Sequence, residues 1–227
     1  MPENENGVSP KKIVGLVVLI LVIFLLVALP QWILLCLYAT DHLVYTLTCF
    51  CVAFLLLTCM HLFEALKYKR PWNYIVLAVC YELMTLGAAS FLMEWDITLT
   101  FIVLGVAFLF LVLFLLLSLL LIVLDKYPNP FNIAIVGSMC FVLAFFFEVV
   151  DVVKEWCFWR DLAVTVFLIS VILILVSHVL ITADNFEVLV EDDAMIVAFV
   201  VYITYLLFLI GGRISVNCIQ HNRKHHW

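Results

Sequence analysis

Glu82, Glu148, Asp151 and Asp184 are carboxylates lying within, or at the end of, strongly apolar stretches, with His61 and His178 as titratable neighbours. A charged side chain near the centre of a bilayer costs at least ~2.5 kcal/mol on insertion scales, so an acid kept there needs a partner or a task. Asp184 closes the run LVSHVLITADNF. It reads either as a helix-end carboxylate in headgroup water, with Asn185 opening a polar loop, or as an inward-facing group that binds a proton or a cation. Glu82 is flanked by apolar residues on both sides and is badly placed to snorkel to water. It is either protonated or hydrogen-bonded with no further role, or a working acid. Glu148 and Asp151 are three residues apart and share a helical face, as a wet helix end or as the lining of a cation vestibule. His178 lies six residues before Asp184, off its face on an ideal helix, and reads most simply as a donor to a backbone or hydroxyl group. His61 and Glu64 share a face and suggest a structural pair at the cytosolic interface.

Other constellations are weaker. The tail CIQHNRKHHW offers Cys218, His221, His225 and His226 at spacings zinc accepts, but with one cysteine and no second cluster. A solvated, flexible tail is the simpler expectation. Glu187, Glu191, Asp192 and Asp193 lack the alternating acids and glycine turn of a calcium loop, and suit a solvated loop that supplies negative charge to a helix N-terminus. Enzyme chemistry is not expected. Gly211-Gly212 is followed by Arg213 rather than by the aspartate of an intramembrane protease, two intraspan histidines are too few for a zinc hydrolase, and the serines have no base and orienter.

The elements that hold these residues follow from composition. The chain has 227 residues, is 67% hydrophobic and only 12% charged, with a net charge of -6. Such a chain is an integral membrane protein, and nucleic acid is not an expected partner. A helix crosses the hydrocarbon with about 20 apolar residues. On that measure the sequence divides into seven all-α segments: Ile13 to Tyr38, Leu43 to Phe63, Tyr74 to Met93, Ile97 to Leu124, Asn132 to Val153, Leu162 to Ala183 and Ala194 to Ile214. A segment at 1–12, one helical domain at 13–214 and a polar tail at 215–227 complete the division. Ile13 to Leu29 is too long for a signal peptide and is expected to be retained. Pro30 predicts a kink or an early exit from the bilayer. Trp72, Trp95, Trp156 and Trp159 fall in the breaks, where indoles anchor at headgroup level. Cys49, Cys51, Cys59, Cys80 and Cys140 lie in apolar runs, where a thiol behaves as a small hydrophobe.

Lys11, Lys12, Lys67, Lys69, Arg70 and Lys126 fall on one side of the membrane, which predicts a cytosolic N-terminus. Seven spans then put Arg213, Arg223 and Lys224 on the far side, against the charge rule. A re-entrant late segment would return the tail to the cytosol, but the sixth and seventh segments are each long enough to cross.

Several stretches carry a family resemblance. KYKRPWNYIVLAVCYELMTLG, Lys67 to Gly87, resembles the basic loop and third helix of the transmembrane BAX inhibitor motif proteins, the Lifeguard branch in particular, through Pro71, Trp72 and Asn73. VLGVA, Val103 to Ala107, is similar to that family's fourth-helix motif, and DKYPNPF, Asp125 to Phe131, to its following loop. TADNFEVL and the later EDDAMIVAFVVYITYLLFLI resemble the end of its sixth helix and its closing helix. The likeness covers most of the chain from Lys67 onward and rests on order and spacing.

The resemblance implies a seven-helix bundle of the endoplasmic reticulum, Golgi or plasma membrane that modulates calcium or proton-coupled cation leak and apoptosis. It implies no cofactor beyond Ca2+ or H+ as the ion carried or sensed. The partners it implies are the bilayer and other membrane proteins of cell-death or calcium signalling. Asp184 matches the family's sixth-helix aspartate. Counting from Tyr202 as the matched tyrosine, the seventh-helix aspartate falls on Thr204, so the second carboxylate is missing. Two close carboxylates share a proton because both cannot cheaply ionise, whereas a carboxylate beside a hydroxyl lacks that coupling. Glu82 is the candidate substitute, meeting Asp184 across the bundle. The alternative is a non-conducting scaffold that binds other membrane proteins through its helices.

Overall fold

The computed structural model describes residues 10–38, 43–62, 71–92, 96–154, 157–186, 188–189 and 193–225. Seven helices account for nearly all of them: α1 Pro10–Tyr38, α2 Leu43–Leu62, α3 Trp72–Ala89, α4 Ile97–Leu124, α5 Pro130–Lys154, α6 Cys157–Asp184 and α7 Asp193–His225. The described residues contain no strand. In hydrocarbon every backbone donor and acceptor must be satisfied internally, and a helix does this within one segment. All but α2 are long and apolar enough to cross a membrane, and α2 has a shorter apolar stretch, Val44–Met60. The chain is a multi-pass helical membrane protein.

Helix α1 includes Pro30 and runs to Tyr38, the end the sequence suggests. Two boundaries differ from the sequence reading. Trp159 lies in the first turn of α6 rather than in a break, and packs on Phe147 of α5 with ring centroids 5.8 Å apart. The expected flexible tail is helical instead: α7 runs on to His225. Nothing after Gly212 is a glycine or proline, so no residue type stops the helix. Arg213 reaches one turn along it and donates to the Asn217 side chain.

The chain divides into two compact units, 1–100 with 188–206 and 101–187 with 207–227. Short connections pair α2 with α3 and α5 with α6, so packing concentrates within hairpins. In the first unit α3 packs on both α1 and α2. At Gly87 a Cβ would sit 3.2 Å from the Phe50 ring and 3.3 Å from the Cβ of Cys49. The core of this unit includes Ala28, Trp32, Leu77, Met84, Phe199 and Tyr202, all buried. In the second unit α5 and α6 approach closely at Gly137, where a Cβ would meet Ile174 Cγ1 at 3.0 Å and the Ile174 backbone nitrogen at 3.2 Å. Phe110, Phe114 and Phe208 stack with centroids 6.0 to 6.2 Å apart. Both units expose large apolar side chains, among them Leu26, Leu55, Leu109, Leu116, Val142 and Phe145. Lipid is the solvent such a surface needs.

Candidate functional site

Asp184 is the last residue of α6 and is exposed. The end of that helix is held by Asn185, whose backbone nitrogen and side-chain amide both donate to the Ile181 carbonyl at 3.1 and 2.8 Å. The carboxylate accepts a 2.8 Å hydrogen bond from the Tyr127 hydroxyl. Tyr127 stands in the α4–α5 connection, and local chemistry explains why it stays there. Asp125 ends α4 in the left-handed region at φ 48°, a conformation that aspartate tolerates better than most residues. Asn129 then caps α5 by accepting from the Phe131 backbone N–H at 2.9 Å, with Pro130 in the first helical position. A stop and a start five residues or fewer apart leave the connection little freedom. The donation to Asp184, followed by partial loss of solvent and the negative charge of Asp184 and Asp125, pushes the Tyr127 phenol above its ordinary value.

His178 lies one and a half turns back along α6. Its Nε2 is buried without a hydrogen-bond partner among the described residues, as is Ser170 Oγ on the same helix. Buried polar atoms of this kind are costly and uncommon.

In the first unit Glu82 is exposed on α3 and accepts from the Gln31 side-chain amide at 3.1 and 3.4 Å. Glu82 and Asp184 thus each have a protein partner within their own unit, Gln31 and Tyr127 respectively. Thr204 is buried on α7, and its hydroxyl donates to the Val200 carbonyl of its own helix at 3.0 Å. Such a back-bonded hydroxyl is a satisfied group.

The first unit also holds a buried polar cluster. Tyr202 donates to the Thr85 hydroxyl at 2.7 Å, Thr85 donates to the Tyr81 carbonyl at 2.7 Å, and the Tyr81 hydroxyl donates to the Phe24 carbonyl at 2.7 Å. The Trp32 indole donates to the Thr85 carbonyl at 3.0 Å. Phe24 stacks on Tyr81 at 4.6 Å, and Tyr81 lies 5.0 Å from Tyr202. These bonds tie α1, α3 and α7 together with rings where small side chains would leave voids. Glu148 is exposed and Asp151 half-buried near the end of α5. Glu148 lines a cavity of about 280 Å³ in the second unit together with Phe141, Phe145, Ala163, Val164 and Phe167.

Tyr127, Gln31 and Thr85 escaped sequence reasoning as site residues. Gln31, an amide inside an apolar run and next to Pro30, was a visible signal. Tyr127 and Asp184 are 57 residues apart, a pairing no local pattern encodes. Glu64, Glu187, Glu191, Asp192 and His226 lie outside the described residues, as do the side chains of His61, Cys218, His221 and His225. Asp193 opens α7 as an acid in its first turn, where the helix dipole favours it. Among the described residues no group of three or more His, Cys, Asp or Glu could hold a metal. Compared with protein-family models, curated proteins and solved structures, the chain matches none.

Proposed function

We infer that this multi-pass protein modulates the leak of calcium, or of another cation coupled to protons, across an endoplasmic reticulum, Golgi or plasma membrane, and through it cell-death signalling. The observation that carries the reading is the Tyr127–Asp184 hydrogen bond. A hydroxyl from a loop holds a carboxylate at the end of a membrane helix, so a proton or cation arriving at that carboxylate competes with the loop. The resemblance of the later helices to the BAX inhibitor motif proteins supports the same role. Thr204 supplies no charge, so the working pair here is an acid and a phenol in place of two acids.

A scaffold that binds other membrane proteins is the second reading. It draws on the buried Phe24, Trp32, Tyr81 and Tyr202 cluster, which is closed by hydrogen bonds and ring packing. The test is calcium efflux from liposomes containing the purified protein, compared with empty liposomes and with Asp184→Asn at mildly acidic and mildly alkaline pH. Efflux that depends on pH and loses that dependence in Asp184→Asn is expected. Efflux no greater than from empty liposomes, from protein shown to be folded, favours the scaffold.

A further inference from the structure

The cavity beside Glu148 has a composition that neither reading above uses. Its walls are apolar: Phe141 and Phe145 from α5, and Ala163, Val164 and Phe167 from α6. At about 280 Å³ it falls near the lower limit for small-molecule sites and suits a chain segment rather than a whole compact ligand. The one acid in it, Glu148, makes no hydrogen bond among the described residues. Glu148 lies six residues from the end of α5 at Lys154, about 9 Å along the axis. Asp151 follows on the same face, one turn nearer that end of the helix.

A cation stands at the same end of the α5–α6 hairpin. Arg160 is one turn before Ala163 and Val164, on the face of α6 that lines the cavity. Its Nε and Nη2 are shielded from solvent and have no hydrogen-bond partner among the described residues. A shielded guanidinium one turn from the cavity wall and an exposed carboxylate lining it, not bonded to each other, leave two opposite charges at one end of the α5–α6 pair. Leaving either alone is costly, and a single ligand with a phosphate and an ammonium group answers both.

We propose that this cavity is a binding site for an aminophospholipid of the phosphatidylethanolamine type: one acyl chain between the phenylalanines, the ammonium on Glu148 and the phosphate on Arg160. A primary ammonium donates hydrogen bonds to the carboxylate, which a quaternary ammonium cannot, and the guanidinium takes the phosphate oxygens. An anionic headgroup without an amine would face Glu148 and Asp151 with like charge. The site is independent of Asp184 and Tyr127.

The test is native mass spectrometry of the full-length protein, delipidated in detergent and then offered phosphatidylethanolamine, phosphatidylcholine or phosphatidylglycerol with matched chains. Phosphatidylethanolamine is expected to be retained about tenfold more than either competitor, an advantage of about 1.4 kcal/mol. Glu148→Gln is expected to abolish the advantage, Glu148→Asp to keep part of it, and Arg160→Gln to weaken retention of all three lipids. A phosphatidylethanolamine with a photoreactive acyl chain is expected to label peptides containing Phe141 or Phe145. Equal retention of the three lipids, a preference unchanged in Glu148→Gln, labelling confined to other helices, or equal retention of an alkylammonium amphiphile without phosphate would each overturn the assignment.

Discussion

Asp184 and Tyr127 form the contact on which the functional reading depends, and its titration has a definite sign. Donation to the Asp184 carboxylate is the main cause that raises the Tyr127 phenol above the ordinary tyrosine value of about 10. A group whose folded value is raised contributes stability that is fully present below its unfolded value and is lost as pH rises through the folded one. The bond therefore holds at neutral pH and fails in the alkaline range above about pH 10, when a phenolate would face a carboxylate. Ultraviolet difference titration against Tyr127→Phe isolates this phenol from the other tyrosines. Its midpoint is expected above about 10 and is expected to fall when Asp184→Asn is introduced. A midpoint at or below that value, unmoved by Asp184→Asn, would mean the contact does not persist in solution.

At the scale of elements, small residues decide how closely the helices pair. Gly137 permits α5 to touch the backbone of α6 at Ile174, and a backbone atom cannot rotate away as a side-chain end can. Gly137→Ala is expected to destabilise the α5–α6 pair by about 1–3 kcal/mol, the range for overpacking a tight contact. Reversible unfolding in mixed detergent micelles checks this, and an unchanged transition would show that the hairpin relaxes freely. The helices themselves were legible in the sequence, because a lipid solvent demands long apolar runs and few other structures satisfy the backbone there. The ends were less so. The polar residues from Ser215 onward resemble a loop by composition, yet α7 absorbs them as far as His225 because nothing in them breaks a helix. Asp184 at a helix end was readable from LITADNF, where apolar residues give way to polar ones. Its partner was not, since Tyr127 is brought to it by the geometry of a distant connection.

For the whole molecule, the large apolar exposed surface and the helix lengths define a multi-pass protein whose polar business is confined to a few sites. In the first unit Thr85, Tyr81 and Tyr202 are satisfied internally, while Gln31 Oε1 is buried without a partner among the described residues. The second unit leaves more open: Asp184 exposed beside a loop hydroxyl, and His178, Ser170 and Arg160 with buried polar atoms lacking partners among the described residues. The proposed ion response therefore rests on residues of the second unit. The most direct measurement is a double-mutant cycle of calcium efflux from liposomes with the wild type, Asp184→Asn, Tyr127→Phe and the double variant. If the phenol and the acid act as one latch, the double variant releases calcium at the rate of the Asp184→Asn protein, and Tyr127→Phe adds nothing once the carboxylate is gone. Independent, additive effects of the two substitutions would contradict the account.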